Sequence, residues 1–281
     1  MPALAFLLLA FATVGDADSA DAVLLRHRFE ADQVIRYEVV SRSEIEMSQG
    51  ESSQELSHGS TSLKRYRVVE ADGGAATLEL SIERVRMAAS DPDGGEIVYD
   101  SEQGEAPTQF AQVAATVGPP IARIRITEAG VVESVEDLGQ LGTSTEQFEK
   151  SNQHTLIRLP DGRVSVGSVW KQPFAIAVRV DENLPAKKTV KLMRRYEVTA
   201  IDGDEVTIGW RSYPLTPISD PAIDAQIAHM RLAGVIVFDA GRGRVVSRTG
   251  ENESQILGFD GPQSLMQKQV RVAETLQGRT N

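Results

Sequence analysis

The sequence predicts a mainly β protein (an α+β fold) in which two related antiparallel β halves form curved sheets or an open barrel, with one or two short helices. Three observations support this prediction. Alternating apolar and polar runs recur between turn residues, one hairpin sequence occurs twice, and few segments are compatible with a helix. Alternation with a period of two is the pattern of a strand with one buried face. A chain of 281 residues with 41% hydrophobic residues can bury a core of this kind.

The first 22 residues have the features of a secretory signal peptide. Residues 3–14 are an apolar run too short to cross a bilayer, and Ala20-Asp21-Ala22 fits an Ala-x-Ala cleavage site. No Lys or Arg precedes the apolar run, which leaves two further interpretations: a start codon placed too far downstream, or a buried N-terminal helix. Cleavage near Ala22 predicts a periplasmic or extracellular protein with no transmembrane segment in the mature chain.

Charge and cysteine content exclude several classes of function. The net charge is −11, so nucleic-acid phosphates and anionic lipid headgroups would repel the chain. Cysteine is absent, which excludes disulfides, thiolate metal sites, thiol nucleophiles and a lipid-modified N-terminal Cys.

The first β half is assigned to residues 23–140. Its predicted strands are Ile35–Val40, Leu63–Val69, Ala76–Met87 and Glu96–Asp100. In the third strand the alternation slips by one position at Glu83-Arg84, which predicts a β-bulge. The Asp72-Gly73 pair before it supplies the positive φ that a hairpin turn requires.

The rest of the chain is divided into a helical connector (141–160), a second β half (161–262) and a C-terminal segment (263–281). Possible N-caps followed by Glu and Gln predict a connector helix over 144–156. A second helix is predicted over 221–230, with an extended conformation as the alternative. The C-terminal segment is compatible with a helix or with a final strand. The predicted strands of this half are Ser168–Val180, Lys188–Ala200, Glu205–Tyr213, Leu232–Asp239 and Arg244–Thr249.

An internal duplication is the most informative feature of the sequence. Residues 64–73 match residues 194–203 at a constant offset of 130, and both copies read as two basic residues, Tyr, a strand and an Asp-Gly turn. Ile97–Asp100 resembles Ile236–Asp239 at an offset of 139, and Val34-Ile35 resembles Val169-Trp170 at an offset of 135. Chance similarity between hairpins is the alternative. A true duplication predicts two sheets whose apolar faces cover each other.

A search for catalytic or metal-binding motifs identifies no site residues and no cofactor. The four histidines, at positions 27, 58, 154 and 229, lack metal-ligand spacing and are interpreted as surface or strand-end residues. Gly241-x-Gly243 is interpreted as a hairpin turn, Asp91–Glu96 as a solvated turn, and Asn252-Glu253-Ser254 as a chance sequon. The only positions singled out for inspection are Trp170, Trp210 and the loops near them. Both tryptophans are interpreted as core residues, and a role in lining a sugar or lipid groove is the alternative.

One stretch resembles an uncharacterised family of exported bacterial proteins, the DUF6263 type abundant in planctomycetes. The resemblance is carried by residues 159–171, which read Leu-Pro-Asp-Gly-Arg-Val-Ser-Val-Gly-Ser-Val-Trp-Lys, and by Val235–Asp239 and Gly243–Ser247. Ser168 stands where the pattern has an aspartate. The resemblance covers residues 30–255, implies an envelope or periplasmic location, and implies no activity and no catalytic residues.

The leading functional hypothesis is an exported, non-enzymatic protein that binds a hydrophobic ligand, such as a lipid or another apolar small molecule, in a curved-sheet groove. The first alternative is a structural or protein-interaction module of the cell envelope, with an envelope protein as partner. The second is a hydrolase whose carboxylates meet only in the fold. The ligand-binding residues are not identifiable from the sequence.

Overall fold

Antiparallel strands dominate the structure and join into one sheet. The computed structural model describes residues 22–90, 95–138, 156–179 and 187–278. Within these ranges there are twelve strands: β1 (Val34–Gln49), β2 (Ser52–Ala71), β3 (Ala75–Ser90), β4 (Glu96–Asp100), β5 (Pro120–Thr127), β6 (Val132–Asp137), β7 (Val169–Arg179), β8 (Lys187–Asp202), β9 (Glu205–Pro214), β10 (Ala233–Asp239), β11 (Arg244–Leu257) and β12 (Ser264–Gln277). The helices in the same ranges are α1 (Ala111–Ala114), preceded by a 3-10 turn at Thr108–Phe110, and α2 (Pro221–Ile227), followed by a 3-10 turn at Ala228–Met230. The predicted mainly β fold is confirmed.

The strand order places the first and last of these strands at the centre of the sheet. The order is β6-β5-β3-β2-β1-β12-β11-β10-β9-β8-β7, and β4 pairs with β3 beside this path. Pairing between β1 and β12 runs from Arg36 opposite Gln277 to Gln49 opposite Ser264. β6 and β7 are consecutive in the chain but form the two outer edges, so the sheet is not closed. The two halves therefore join edge to edge.

Side-chain alternation gives the sheet an inner, buried face and an outer, largely polar face. On the inner face of the first half a cluster forms around Tyr66, Leu78 and Ile124, each at most 2% exposed. In the second half the corresponding cluster includes Tyr196 and Phe238, both fully buried. These clusters provide most of the hydrophobic burial that stabilises the sheet.

Two non-strand segments cross the inner face between the halves. Val23 and Val164 pair through two backbone hydrogen bonds of 2.8 Å, which ties residues 22–33 to residues 156–168. Leu25 and Ile157 are fully buried against the second-half cluster, and Phe29 packs against the first-half cluster. These segments fill the space between the curved halves.

The two described helices cover the ends of the inner face. Ile223 and Ile227 of α2 pack on β7 and β8 near Leu192, and Gln226 exchanges hydrogen bonds with the backbone of Arg179. The turn before α1 places Phe110 on β3 and β4. The helix predicted over 221–230 is confirmed, although its last three residues form a 3-10 turn.

The duplicated hairpins share a structural irregularity that the sequence match did not include. In the β2–β3 hairpin Val68 lies opposite Leu78 and Glu70 opposite Thr77, so Val69 is a bulge residue. In the β8–β9 hairpin Val198 lies opposite Ile208 and Ala200 opposite Thr207, so Thr199 is the bulge residue. The two bulges are separated by the same offset of 130 as the sequence match. This agreement supports two related halves.

One of the three proposed repeat matches is wrong. β10 pairs with the start of β9, from Asp239 opposite Glu205 to Ala233 opposite Arg211. The equivalent part of β3 pairs with β5, and β4 pairs with the far end of β3. By register β10 therefore corresponds to β5, so the resemblance between Ile97–Asp100 and Ile236–Asp239 does not reflect equivalent positions.

Several predicted boundaries need correction. β1, β2 and β11 are far longer than predicted, because their distal parts are rich in polar residues; in β1 the alternation of Ile45 and Met47 with glutamates was missed. β5 and β6 were not predicted, and the C-terminal segment forms β12 and not a helix. The bulge expected at Glu83 is confirmed, since Leu63 pairs with Arg84 and Lys64 with Ile82. The signal peptide and the helix over 144–156 lie outside the described residues, except for their last positions.

Candidate functional site

The histidines do not form a site in the part of the chain that the structure describes. His27 is 5% exposed, whereas His58 and His229 lie at the surface. His154 is outside the described residues. No group of three or more metal-ligating side chains occurs among the described residues. For His27 the interpretation as a surface or strand-end residue is wrong, because its ring stacks on Phe29 at 5.9 Å between centroids in the interior.

Both tryptophans contribute to the core of the second half: Trp210 is buried within the cluster, and Trp170 is partly buried and packs against it. The Trp170 ring stacks on Tyr196 at 5.0 Å, and its Nε1 donates to the carbonyl of Arg158 at 2.9 Å. Trp210 is 4% exposed, and its Nε1 donates to the carbonyl of Thr249 at 2.9 Å. Their interpretation as core residues is confirmed, and they do not nominate a ligand groove.

Charged side chains lie around Trp210 on the inner face. The guanidinium carbons of Arg248 and Arg194 lie over its ring at 4.2 and 5.5 Å from the centroid, a cation–π arrangement. Glu274 lies directly opposite Arg248 in the β11–β12 register. Burial lowers the pKa of Arg248 to about 10 and also lowers the pKa of Lys64, although the Glu274 carboxylate favours the charged form of each. At 3–4% exposure, Arg194, Arg248 and Glu274 form an internal network and not a surface site.

The remaining sequence motifs have structural roles. Asp239 accepts a hydrogen bond from the backbone N–H of Arg242 at 2.7 Å, as in a hairpin turn. Asn252 donates to the carbonyl of Ala228 at 3.0 Å and so joins β11 to the turn after α2. Residues 91–94 of the acidic turn are outside the described residues. In the family-like stretch Leu159 and Val164 are core residues.

A concave surface on the outer face over the central strands is the candidate functional site. We call it the central groove. It has a volume of about 490 Å³ and lies over β1, β12, β11 and β10. Its outer-face side chains are Val40, Arg42, Ala233, Val235, Thr249, Glu251, Arg271 and Ala273. A neighbouring concavity of about 520 Å³ continues it over β2 and β3 and shares Val40 and Arg42. Pockets of 300–1,000 Å³ are typical for small ligands.

Strand register arranges the groove residues in two rows. In the first row Val40 lies opposite Ala273, and Ala273 lies opposite Thr249. With Val235, which is 43% exposed, this row forms an apolar floor. In the second row Arg42 lies opposite Arg271, and Arg271 lies opposite Glu251. The groove therefore combines an apolar row with a charged row.

Close packing beneath the floor holds the strands in place. A Cβ at Gly234 would clash with the carbonyl group of Thr249, and a Cβ at Gly250 would come within 2.7 Å of the Trp210 ring. The side chain of Trp210 therefore supports β11 from the inner face, while β10 and β11 approach closely enough to require glycine. Three residues further along β10, the register with β11 shifts between Val237 and Phe238, as at a β-bulge.

Arg42 and Arg271 differ from those outer-face arginines that are held in ion pairs. Arg36 donates to Glu83 at 2.8 Å, and Arg123 donates to Glu79 and Glu136 at 2.9 Å. These pairs raise the pKa of Arg36 and Arg123. Arg42 and Arg271 instead face each other and form no ion pair with any residue that the structure describes. Like charges directly opposite in a sheet are unfavourable, so this pair is a local excess of positive charge.

An acidic surface adjoins the groove toward the distal ends of the strands. A concavity of about 800 Å³ there is lined on the outer face by glutamates and glutamines, namely Glu44, Glu46, Glu55, Glu253, Gln255, Gln267 and Gln269. The arginine row therefore separates the apolar floor from an acidic surface. Sequence reasoning missed the groove because Arg42 and Arg271 come from opposite ends of the chain. The alternation of Val40 and Arg42 was the only local signal, and it resembles any outer strand face.

Comparisons with known proteins add little to this description. No protein-family model matches the chain, and no curated protein matches it. The chain is similar at 8% identity and a TM-score of 0.24 to DynF from the dynemicin biosynthesis pathway of Micromonospora chersina, covering 92% of this chain and 86% of that chain. It is similar at 7% identity and a TM-score of 0.20 to OccK8 (OprE) of Pseudomonas aeruginosa, covering 89% of this chain and 99% of that chain. It is similar at 10% identity and a TM-score of 0.16 to a putative outer membrane lipoprotein-sorting protein domain from Vibrio parahaemolyticus, covering 87% of this chain and 86% of that chain. TM-scores this low carry no argument about fold or function.

Proposed function

We propose that this protein is an exported, non-enzymatic binding protein that holds an apolar small molecule in the central groove. The observation that supports the proposal is the apolar floor of Val40, Ala273 and Val235 within a concavity of ligand size. Apolar side chains exposed in a concave surface gain free energy when a ligand removes them from water. The predicted signal peptide supports the export part of the proposal, and the resemblance to the exported planctomycete family stays a prediction.

The two outer-face carboxyl groups with a shifted pKa do not favour the hydrolase alternative. A carboxyl group that acts as a general acid needs a raised pKa. The shifted carboxylates of the outer face are Asp72 and Glu83, and arginine hydrogen bonds lower the pKa of each. Ion-paired carboxylates of this kind stabilise strand pairing.

The helices of the described residues are all too short to form a membrane span.

Fluorescence of the neutral apolar probe N-phenyl-1-naphthylamine tests the proposal. The wild-type protein is expected to enhance the fluorescence of the probe, and Val235→Asn is expected to weaken binding because it makes the floor polar. Val169→Asn is the matched control, since Val169 is also an outer-face strand residue and is 44% exposed. Absence of enhancement by the wild-type protein, or equal weakening by both variants, would contradict the proposal.

An exposed apolar hairpin tip favours the second candidate, an envelope interaction module. Leu257 at the end of β11 is 71% exposed and lies opposite Leu265 of β12. Native mass spectrometry on protein purified from its own periplasm separates the two candidates. A co-purifying apolar molecule supports the binding protein, whereas ligand-free protein bound to another polypeptide supports the interaction module.

A further inference from the structure

We infer that the molecule held in the central groove is an amphiphile whose single anionic group binds between Arg42 and Arg271. This inference rests on the proposed function and specifies the ligand class of the same site. The anionic group is an oxyanion such as a carboxylate or a phosphate, and the apolar part lies on the row formed by Val40 and Ala273.

The geometry of the arginine pair favours an oxyanion. Side chains directly opposite on antiparallel strands have Cβ atoms about 5 Å apart, so two guanidinium groups can approach one small anion from both sides. Each guanidinium presents a planar fork of N–H donors that matches the oxygens of a carboxylate or a phosphate. A bound anion would also relieve the repulsion between the two arginines.

Local charge agrees with this geometry. Arg42 and Arg271 share the groove with one carboxylate, that of Glu251, so the groove is positive although the chain as a whole carries a charge of −11. Several other arginines of the outer face are paired with carboxylates, for example Arg125 with Glu133 at 3.2 Å. The acidic residues beyond the arginine row, among them Glu44 and Glu253, repel an anion from the distal surface and leave the arginine row as the favourable position.

The order of the two rows sets the orientation of the ligand. The apolar row lies directly beside the arginine row, two residues away along β1 and along β12. A molecule with an apolar part next to its anionic group satisfies both rows at once. A neutral apolar molecule satisfies only the first row, and a cationic amphiphile is repelled by the second.

Competition with the bound naphthylamine probe tests the inference with four ligands that share a twelve-carbon chain: dodecanoate, dodecyl phosphate, dodecanol and dodecyltrimethylammonium. The two anions are expected to displace the probe at lower concentration than the alcohol, and the cation is expected to be weakest. The better of the two anions identifies the head group as carboxylate or phosphate. Arg42→Gln or Arg271→Gln is expected to weaken the anions about tenfold and to leave the alcohol unchanged.

Two further variants make the test specific. Glu251→Gln is expected to tighten the anions, because it removes the one competing carboxylate of the row. Arg84→Gln is the control, since Arg84 is an exposed outer-face arginine outside the groove. Equal displacement by anion and alcohol in the wild-type protein, or tightest binding of the cation, overturns the inference and leaves the proposed function standing. Failure of the probe itself to bind overturns both.

Discussion

At the scale of single residues, His27 couples the N-terminal segment to the interior. Its Nε2 lies 3.0 Å from the carbonyl oxygen of Ile157, and its ring meets the edge of Phe238 at 5.7 Å between centroids. Burial lowers the pKa of His27, and the hydrogen bond to Ile157 only partly offsets this effect. The neutral imidazole is therefore the form that the folded chain accommodates.

This burial predicts a loss of stability in mild acid. Because the pKa of His27 in the folded chain lies below the ordinary value of 6.5, the unfolded chain takes up a proton first as the pH falls. The stabilisation that comes from burying His27 as a neutral residue is fully present above pH 6.5. It is lost as the pH falls from 6.5 through the lower pKa of the folded chain. Urea denaturation at about pH 7.5 and about pH 5.5 measures how much the free energy of unfolding decreases between these two pH values. This decrease is expected to be smaller for His27→Gln than for the wild-type protein.

The exposed His58 provides the control for this measurement. His58→Gln is expected to keep the pH dependence of the wild-type protein, because that side chain lies at the surface. A pH dependence that is the same in the His27 variant and in the wild-type protein would show that His27 is not buried as a neutral residue.

At the scale of elements, α2 begins with a well-defined cap. Asp220 Oδ1 accepts a hydrogen bond from the backbone N–H of Ala222 at 3.0 Å, and Pro221 occupies the first helical position. Both residues suit their positions, since an N-cap needs a side-chain acceptor and Pro has no N–H to satisfy. Pro221, with Asp224 in the first turn, was the pattern that predicted α2, whereas the cap at Asp220 was not part of that prediction.

Removing the cap should lower stability by a modest amount. Asp220→Ala is expected to reduce the free energy of unfolding by about 1 kcal/mol, since the Ala222 N–H loses its acceptor. Chemical denaturation measures the change, and Ser219→Ala at the exposed neighbouring position serves as the control. An Asp220 variant as stable as the Ser219 variant would show that the cap does not contribute.

The strands show which parts of an element can be read from a sequence. The slip of alternation at Glu83 predicted its bulge correctly because apolar residues flank it on one face. The bulges at Val69 and Thr199 were missed, because each lies next to an Asp-Gly turn where alternation ends. Strand β12 could not be distinguished from a helix, because only its pairing with β1 and β11 selects the extended form.

At the scale of the whole molecule, the pairing of β1 with β12 creates the candidate site. Val40 and Arg42 reach Ala273 and Arg271 only through this pairing. The sequence predicted the two halves from their repeated hairpin, but it gave no sign of which strands join them. A site formed at that junction could therefore not be predicted from local sequence patterns, whereas core residues such as Trp210 could be.

Loss of β12 should disrupt the whole sheet and not only one edge. A chain that ends at Gly261 lacks β12 and leaves β1 and β11 without their common neighbour. Exposed strand edges of this length promote aggregation, so the shortened chain is expected to lose its cooperative thermal transition. A chain that ends at Gly278 keeps β12 and is expected to melt as the full chain does. A soluble, cooperatively melting chain that ends at Gly261 would contradict this account.

The central position of β12 also fixes when the sheet can be completed during synthesis. Synthesis runs from the N-terminus, so the eleven described strands that precede β12 are all made before the strand that joins the two halves. During this interval the groove does not exist, and the edges of β1 and β11 are open to other chains. A ligand of the groove can therefore bind only after β12 has been made and has paired with β1 and β11.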